Sequence, residues 1–192
     1  MLIVRRDKLN LLEPNNPLLH KRPEPYSFEE DGDPQNLINV LFARMRELGG
    51  VGLSANQVGI DRRMFVMGAE IPIAVFNPEI IELNQATESL REGCLTYPGL
   101  VLNITRPKAI KVRYQNRHGE IVEEQLIGLS ARVFQHEYEH MEGKDFTKNV
   151  SKLKLDLAKK RFYNLKKKIV KKHAVKTMVE ALNESTKSQW VW

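Results

Sequence analysis

The chain contains a single cysteine among its 192 residues, Cys94, and no apolar run long enough to cross a bilayer. One cysteine excludes an internal disulfide framework and suits a reducing compartment, so we expect a cytoplasmic protein. The amino-terminal residues show neither a long apolar core nor a cleavage site, which argues against a secretory signal. Internal repeats are also absent. What is left is an ordinary globular composition, with 42% hydrophobic and 28% charged residues.

Positive charge is concentrated towards the carboxyl terminus. The formal net charge is +6 at pH 7. Residues 148–176 hold twelve Lys or Arg and one acid, Asp156, a local charge of +11, so the remainder carries −5. We therefore predict two regions: a mildly acidic body over 1–150, and a basic amphipathic helix and tail over 151–192.

Apolar spacing and turn residues predict an α+β protein. Residues 1–32 contain four prolines, which forbid a long helix, so we expect an irregular arm. Helices are predicted over 34–48, over 129–141 and from residue 152 onward, where apolar residues recur at intervals of three and four. Short strands are predicted at 64–67, 71–76, 79–83, 88–92, 100–104, 109–115 and 121–127. Strands with helices segregated at the ends are typical of α+β folds.

The predicted helix over 129–141 carries the pattern His-Glu-x-x-His. In a helix, His136 and His140 lie one turn apart on one face, at about 6 Å, so both can bind one metal ion. Glu137 between them can accept a proton from a water that the metal activates. The pattern predicts a hydrolytic metal site that still needs a third protein ligand.

Cys94 is the candidate third ligand. A lone cysteine is most often a buried packing residue. Here, however, Gly93 bares the backbone beside it, Pro98 and Gly99 turn the chain just after it, and the two histidines lack a partner. A thiolate with two imidazoles suits Fe(II) or Zn(II) better than Mg²⁺ or Ca²⁺.

Three motifs stand in one order: Gly-Val-Gly-Leu-Ser-Ala-Asn-Gln (50–57), Glu-Gly-Cys-Leu-Thr (92–96) and Gln-His-Glu-Tyr-Glu-His (135–140). Together they resemble the peptide deformylase family. The resemblance implies that family's fold, with short antiparallel sheets around the central helix that bears His-Glu-x-x-His. It also implies an enzyme that removes the N-formyl group from formyl-methionyl nascent peptides and releases formate. Its cofactor would be one divalent metal ion, Fe(II) first, with Zn(II), Ni(II) or Co(II) able to occupy the same site.

The resemblance further implies a role for each motif residue. The metal ligands would be Cys94, His136 and His140, with Glu137 as the acid–base group. The Gln57 side chain and the Leu95 backbone N–H would hold the developing oxyanion. Val51, Gly52 and Gly93 would offer backbone groups to a peptide bound in an extended conformation.

The methionine side chain of such a substrate needs an apolar pocket. Leu129 and Val133 precede His136 by seven and three positions and share its helix face. With Leu90 they are the candidate pocket residues, although their spacing fits plain core packing as well.

Some positions depart from the family pattern. Arg132 stands where we expect an apolar pocket residue. The family often has an arginine shortly after the cysteine motif that pairs with the motif glutamate, here Glu92, and this chain has Val101 near that position. We therefore hypothesise that Arg132 pairs with Glu92 from the helix side and narrows the methionine pocket. Glu139 replaces the usual Asp, and Thr96 replaces the usual Ser.

Two other functions fit parts of the sequence. A zinc peptidase also uses His-Glu-x-x-His, but that reading leaves Cys94 and Gln57 unexplained. A catalytically silent binding module would keep the fold without turnover. Formate release without chain cleavage separates a deformylase from a zinc peptidase. Metal-dependent turnover separates it from a silent binding module.

The basic region over 151–192 predicts an additional partner. A cationic helix on an enzyme of nascent peptides fits docking on ribosomal RNA or protein, driven by counterion release. Binding to a membrane surface is less favoured, because the apolar stripe lacks a strong aromatic set.

Overall fold

The computed structural model describes residues 9–68, 72–164 and 167. The chain divides into two compact units, Met1–Val150 and Ser151–Trp192. In the second unit, residues 152–164 form a helix with mostly exposed side chains. Residues 165–166 and 168–192, which include most of the predicted basic helix and tail, lie outside the described residues. Within the described ranges, no helix is long and apolar enough to cross a membrane.

The first unit combines two α-helices with antiparallel strands. In chain order the described elements are α1 (Gln35–Glu47), β1 (Gly52–Ser54), β2 (Met64–Met67), β3 (Ile73–Leu83), β4 (Thr87–Cys94), β5 (Tyr97–Pro107), β6 (Ala109–Gln115), β7 (Ile121–Ile127) and α2 (Gly128–Met141). Short 3-10 helices lie at Pro17–His20, Ala55–Val58 and Phe146–Asn149. Five strands form one sheet in the order β1-β2-β3-β6-β7, while β4 and β5 form a separate hairpin. The predicted α+β class is confirmed.

Helix α1 has clear start and stop signals. The Asp33 carboxylate accepts a hydrogen bond from the Gln35 N–H at 2.9 Å and caps the first turn. Gly49 follows the last turn with φ of 69°, a conformation that favours glycine. Leu41 and Met45, one turn apart, are buried in a core shared with β1 and β2.

Strand β3 joins two segments that we predicted as separate strands, 71–76 and 79–83. The ladder with β6 shifts register between Phe76 and Glu79, which is a β-bulge. Asn77 lies in this bulge with φ of 48°. Its side chain accepts a hydrogen bond from the Tyr26 N–H at 2.8 Å and donates one to the Tyr26 carbonyl at 2.9 Å. These bonds hold the bulge in place without ending the strand.

Helix α2 is buried on more than one side. Phe134 and Met141 pack on the large sheet, and the Phe134 ring meets Phe65 edge to face with centroids 5.2 Å apart. Polar side chains on the helix, including Glu137 and His140, are buried as well. A buried polar helix face needs a network of partners, because unsatisfied groups there cost free energy. That network forms the functional site.

Candidate metal centre and active site

The three predicted metal ligands converge. Cys94 ends β4, and His136 and His140 lie one turn apart on α2. One ligand atom from each residue lies within 4.8 Å of the others. The Cys94 Sγ and the His140 Nε2 are 3.3 Å apart. Ligands about 2.0–2.3 Å from a shared tetrahedral zinc-type ion stand roughly 3.3–3.7 Å from one another, so this donor set fits a divalent metal.

Electrostatics favour the metal-binding form of Cys94. Burial alone would raise the pKa of its thiol, but His140 and His136 beside it lower the pKa to about 6. Burial would lower the pKa of His136, whereas hydrogen bonds with Cys94 and Glu92 raise it to about 10. The thiolate, which is the form that binds metals, is therefore available at neutral pH.

Glu92 orients His136. A carboxylate oxygen of Glu92 lies 3.2 Å from the His136 Nδ1. This contact leaves the Nε2 of His136 for the metal, the usual arrangement of a ligating histidine backed by a carboxylate. Burial would raise the pKa of Glu92, but hydrogen bonds with His136 and Arg106 lower it to about 2. Glu92 therefore stays ionised.

Arg106 pairs with Glu92 as the arginine of the family pattern does, although we took that arginine to be replaced by Val101. It donates to Glu92 through Nε at 2.8 Å and Nη2 at 2.9 Å, and to Glu139 at 2.7 and 3.0 Å. Val101 is instead an exposed residue of the cavity wall, opposite Gly93 in the β4–β5 hairpin. The arginine was missed because its place depends on the register of the β4–β5 hairpin. That register sets Arg106 opposite Glu88, on the strand that also carries Glu92.

Arg132 makes the predicted contact with Glu92. Its Nη1 donates to the Glu92 Oε1 at 2.6 Å and to the Ile104 carbonyl at 3.0 Å, and its Nη2 donates to the Glu88 carbonyl at 2.7 Å. The side chain is only 7% exposed, so its charge is held by these acceptors. Glu92 thus lies between two arginines and His136.

Glu137 is held by a residue that the sequence analysis did not single out. The Ser54 hydroxyl donates to the Glu137 Oε2 at 2.7 Å. Gly52 lies against the same carboxylate, and a Cβ there would stand 2.4 Å from the Glu137 Oε1. Only glycine fits this position without moving Glu137.

Gln57 is buried beside the ligands with its amide oriented. Its Oε1 accepts the Ser54 N–H at 2.9 Å, so its amide nitrogen faces the metal centre. That nitrogen donates to the Thr96 Oγ1 at 3.0 Å and lies 3.4 Å from the Cys94 Sγ. Ser54 therefore orients both Gln57 and Glu137.

A cavity of about 580 Å³ opens onto this centre. Its wall includes six of the seven predicted substrate-binding residues, namely Val51, Gly52, Gly93, Leu129, Arg132 and Val133, together with Leu95, the predicted oxyanion donor. Leu90, the remaining predicted pocket residue, lies outside this wall and is 42% exposed. Arg132 bonds both Glu92 and the Glu88 carbonyl, which lie on either side of Leu90 along β4. Its guanidinium therefore lies along the β4 segment that contains Leu90.

A glutamate next to a three-ligand metal centre is how metal-dependent hydrolases activate water, and fold and site together place the chain in that class. Comparison with known proteins narrows the class. Residues 8–156 match the family described as polypeptide deformylase. The chain is 43% identical over 151 residues to a peptide deformylase of Thermotoga sp. strain RQ2, covering 78% of this chain and 92% of that protein. It therefore belongs to the polypeptide deformylase family, as the three motifs predicted.

Solved structures agree with this assignment. A crystal structure of peptide deformylase from Thermotoga maritima superposes with a TM-score of 0.70 at 43% identity, covering 74% of this chain and 97% of that one. A peptide deformylase from Synechococcus elongatus in complex with actinonin superposes with a TM-score of 0.75 at 30% identity, covering 83% and 88%.

Proposed function

We propose that this chain hydrolyses the N-formyl group of formyl-methionyl peptides and releases formate, with the residues above in specific roles. The observation that carries the proposal is the position of Glu137 and Gln57, which flank the Cys94–His136–His140 cluster at the wall of one cavity. The formyl carbon would lie between them. Peptide hydrolysis by the same histidine motif has no specific support, since Gln57 and Cys94 then lack a purpose.

Cys94, His136 and His140 would hold one divalent metal ion, for which Fe(II) is our first choice among ions that accept a thiolate with two imidazoles. When bound, the ion supplies Lewis acidity that makes a water nucleophilic near neutral pH. The chain's own part is to fix the ligands, and Glu92 does so by orienting His136.

Glu137 would move the proton. Its Oε2 accepts the Ser54 hydroxyl, whereas in the described part of the chain no donor bonds its Oε1. The free oxygen can accept the proton of the attacking water and then deliver it to the departing amine. Gly52 leaves the room for this carboxylate.

Gln57 and Leu95 would stabilise negative charge on the formyl oxygen. The Gln57 amide nitrogen faces the centre because its oxygen is tied to the Ser54 N–H. A neutral amide donates without adding charge, and the Leu95 backbone N–H would provide a second donor. Leu95 directly follows Cys94 and lies in the cavity wall.

The cavity would bind the peptide. Leu129 and Val133 would contact the methionine side chain, and Arg132 would limit the depth of the pocket. Val51, Gly52 and Gly93 would pair with the backbone of an extended peptide, which accepts varied side chains after the first.

The deciding experiment is an anaerobic formate-release assay on formyl-Met-Ala-Ser, with wild type and Glu137→Ala both loaded with iron and analysed for metal. We expect formate without chain cleavage from the wild type. Glu137→Ala should keep its metal and lose about 10²- to 10⁴-fold in turnover. Cleavage of an internal peptide bond, or full turnover by the variant, would refute the proposal.

The basic region would dock the enzyme on the ribosome, in the cytoplasm where nascent chains appear. Support comes from the local charge of +11 over 148–176 and from the exposed lysines of the helix at 152–164. Truncation after Lys152 should abolish salt-sensitive co-sedimentation with ribosomes and spare turnover of a short formyl-Met peptide. Unchanged co-sedimentation would overturn this part.

A further inference from the structure

Among the described residues, the cavity wall contains one exposed charged side chain. Arg91 lines the cavity and is exposed. The other side chains of the wall that carry carboxylate or guanidinium groups are buried and hydrogen-bonded: Glu92, Arg132 and Glu137. Across the described ranges, no carboxylate pairs with Arg91. Its charge is therefore available to a ligand.

The surroundings of Arg91 strengthen its effect. Three apolar side chains of the wall are also exposed, Val51 at 50%, Val101 at 40% and Leu129 at 47%. Exposed apolar residues around a cavity are typical of ligand-binding surfaces. A single cation on such a surface discriminates between charged ligands, because it attracts one sign and repels the other.

The position of Arg91 on β4 indicates which part of a peptide it meets. Arg91 is two residues from Gly93 on β4, so the Arg91 side chain lies on the face of the strand that Gly93 leaves uncovered. Arg91 precedes Cys94 by three residues, which at roughly 3.3 Å per residue is about 10 Å along the strand. An extended peptide rises by the same amount per residue. When its formyl group is at the metal centre, its second or third residue comes level with Arg91.

We propose that Arg91 determines substrate specificity by selecting formyl-methionyl peptides with an acidic side chain at the second or third residue over peptides with a basic one there. The inference rests on the proposed function, since it assumes that the formyl group is bound at the metal centre. Arg91 would add a preference for charge at the second or third residue to the preference for methionine at the first.

The test compares kcat/KM for formyl-Met-Ala-Asp-amide and formyl-Met-Ala-Lys-amide, with a matching pair that carries the charge at the second residue. The amide removes the terminal carboxylate, which could itself pair with Arg91. We expect the wild type to favour the acidic peptide of at least one pair by about two- to fivefold, as for a partly exposed ion pair, mainly through KM. Added salt should reduce this ratio.

Arg91→Gln should bring the ratio close to one, and Arg91→Glu should reverse it. The ratio is measured within each variant, so a general change in activity cancels. Arg117→Glu makes the same change in net charge at an exposed turn outside the cavity wall, and should keep the wild-type ratio. A ratio of one for both pairs in the wild type, or an unchanged preference in Arg91→Glu, would overturn the proposal. Failure of the proposed function would look different, because the neutral formyl-Met-Ala-Ser would then release no formate.

Discussion

The Ser54 hydroxyl donates a hydrogen bond to the Glu137 carboxylate at 2.7 Å, across 83 positions of sequence and fully inside the protein. The backbone N–H of the same serine holds the Gln57 amide. One residue of β1 thus positions both groups that we place on either side of the formyl carbon.

Ser54→Ala should lower kcat by about ten- to a hundredfold, since a hydrogen bond to a charged group is worth roughly 1.5–3 kcal/mol. KM should change little, because Ser54 is not in the cavity wall. Steady-state kinetics with formyl-Met-Ala-Ser measure the two separately. Ser89→Ala, at an exposed position of β4, is the matched control. A rise in KM with kcat unchanged would contradict this role.

Gly52→Ala should displace Glu137 rather than unfold the protein. The added Cβ would lie 2.4 Å from the Glu137 Oε1, so the carboxylate must move. A displacement of about 1 Å can cost about 10²-fold in rate. We expect that loss in kcat with metal content preserved. Gly68→Ala is the control, because its new Cβ meets only the mobile end of the Met45 side chain, at 3.1 Å. Equal losses in the two variants would argue against a specific effect on Glu137.

Arg106→Ala should destabilise the fold more than Arg132→Ala does. Arg106 is bonded to both Glu92 and Glu139, and its removal leaves two carboxylates with fewer partners. Breaking a buried pair on one side costs about 3–5 kcal/mol. Glu92 keeps its bonds to Arg106 when Arg132 is removed, so Arg132→Ala should lower the free energy of unfolding by less. Urea unfolding of both variants and of the double mutant measures these losses. A larger loss for Arg132→Ala than for Arg106→Ala would refute the prediction.

Arg132→Ala should also relax the choice of the first side chain. Without the guanidinium the cavity extends along β4, so kcat/KM for formyl-Phe-Ala-Ser should rise relative to formyl-Met-Ala-Ser. Arg113→Ala, on β6 and 45% exposed, is the comparison variant and should keep the wild-type ratio. An Arg132→Ala ratio equal to that of the wild type would show that Arg132 does not limit the pocket.

Asp31 predicts a pH dependence of stability away from the metal centre. Hydrogen bonds from Arg62 at 2.7 and 2.8 Å lower the pKa of its carboxyl, against the opposing effect of burial. The pKa of an aspartate in the unfolded chain is about 3.9. A carboxyl group whose pKa is lower in the folded protein stabilises the fold at pH values above about 3.9, and this contribution is lost as the pH falls through the folded-state pKa. Asp31→Asn should therefore cost about 1–2 kcal/mol at pH 7, a difference that shrinks below about pH 4. Urea titrations across this range measure it, with Glu30→Gln as control; a constant difference would contradict the mechanism.

The sequence predicted elements with strong local signals closely. Helix α1 lies within one residue of its predicted bounds at each end, and the β6–β7 hairpin was placed correctly, because apolar periodicity and turn residues define both. The Cys94–His136–His140 cluster was predicted because the two histidines are spaced for one helical face and Cys94 lies in a motif that precedes them in the family order. The Arg132–Glu92 contact was predicted because Arg132 stands where an apolar residue is expected and Glu92 needs a cationic partner.

The missed residues depend on tertiary register. Arg106 faces Glu92 only because β5 returns along β4 with Glu88 opposite Arg106, a pairing that strand patterns alone do not fix. Ser54 carried one readable signal, its spacing of three from Gln57, which is that of a capping box. Strand spacing could not place Leu90 relative to the cavity, because that depends on how α2 and the Arg132 side chain pack against β4.

The ligands come from elements that pair with different partners. Cys94 belongs to the separate β4–β5 hairpin, whereas both histidines lie on the helix that packs against the large sheet. A bound ion would therefore act as a cross-link between the β4–β5 hairpin and helix α2. Since metal binding to the folded state adds to its stability, the thermal unfolding midpoint should rise with free metal concentration and fall with a chelator. The melting curve then becomes a measure of how fully the protein is loaded.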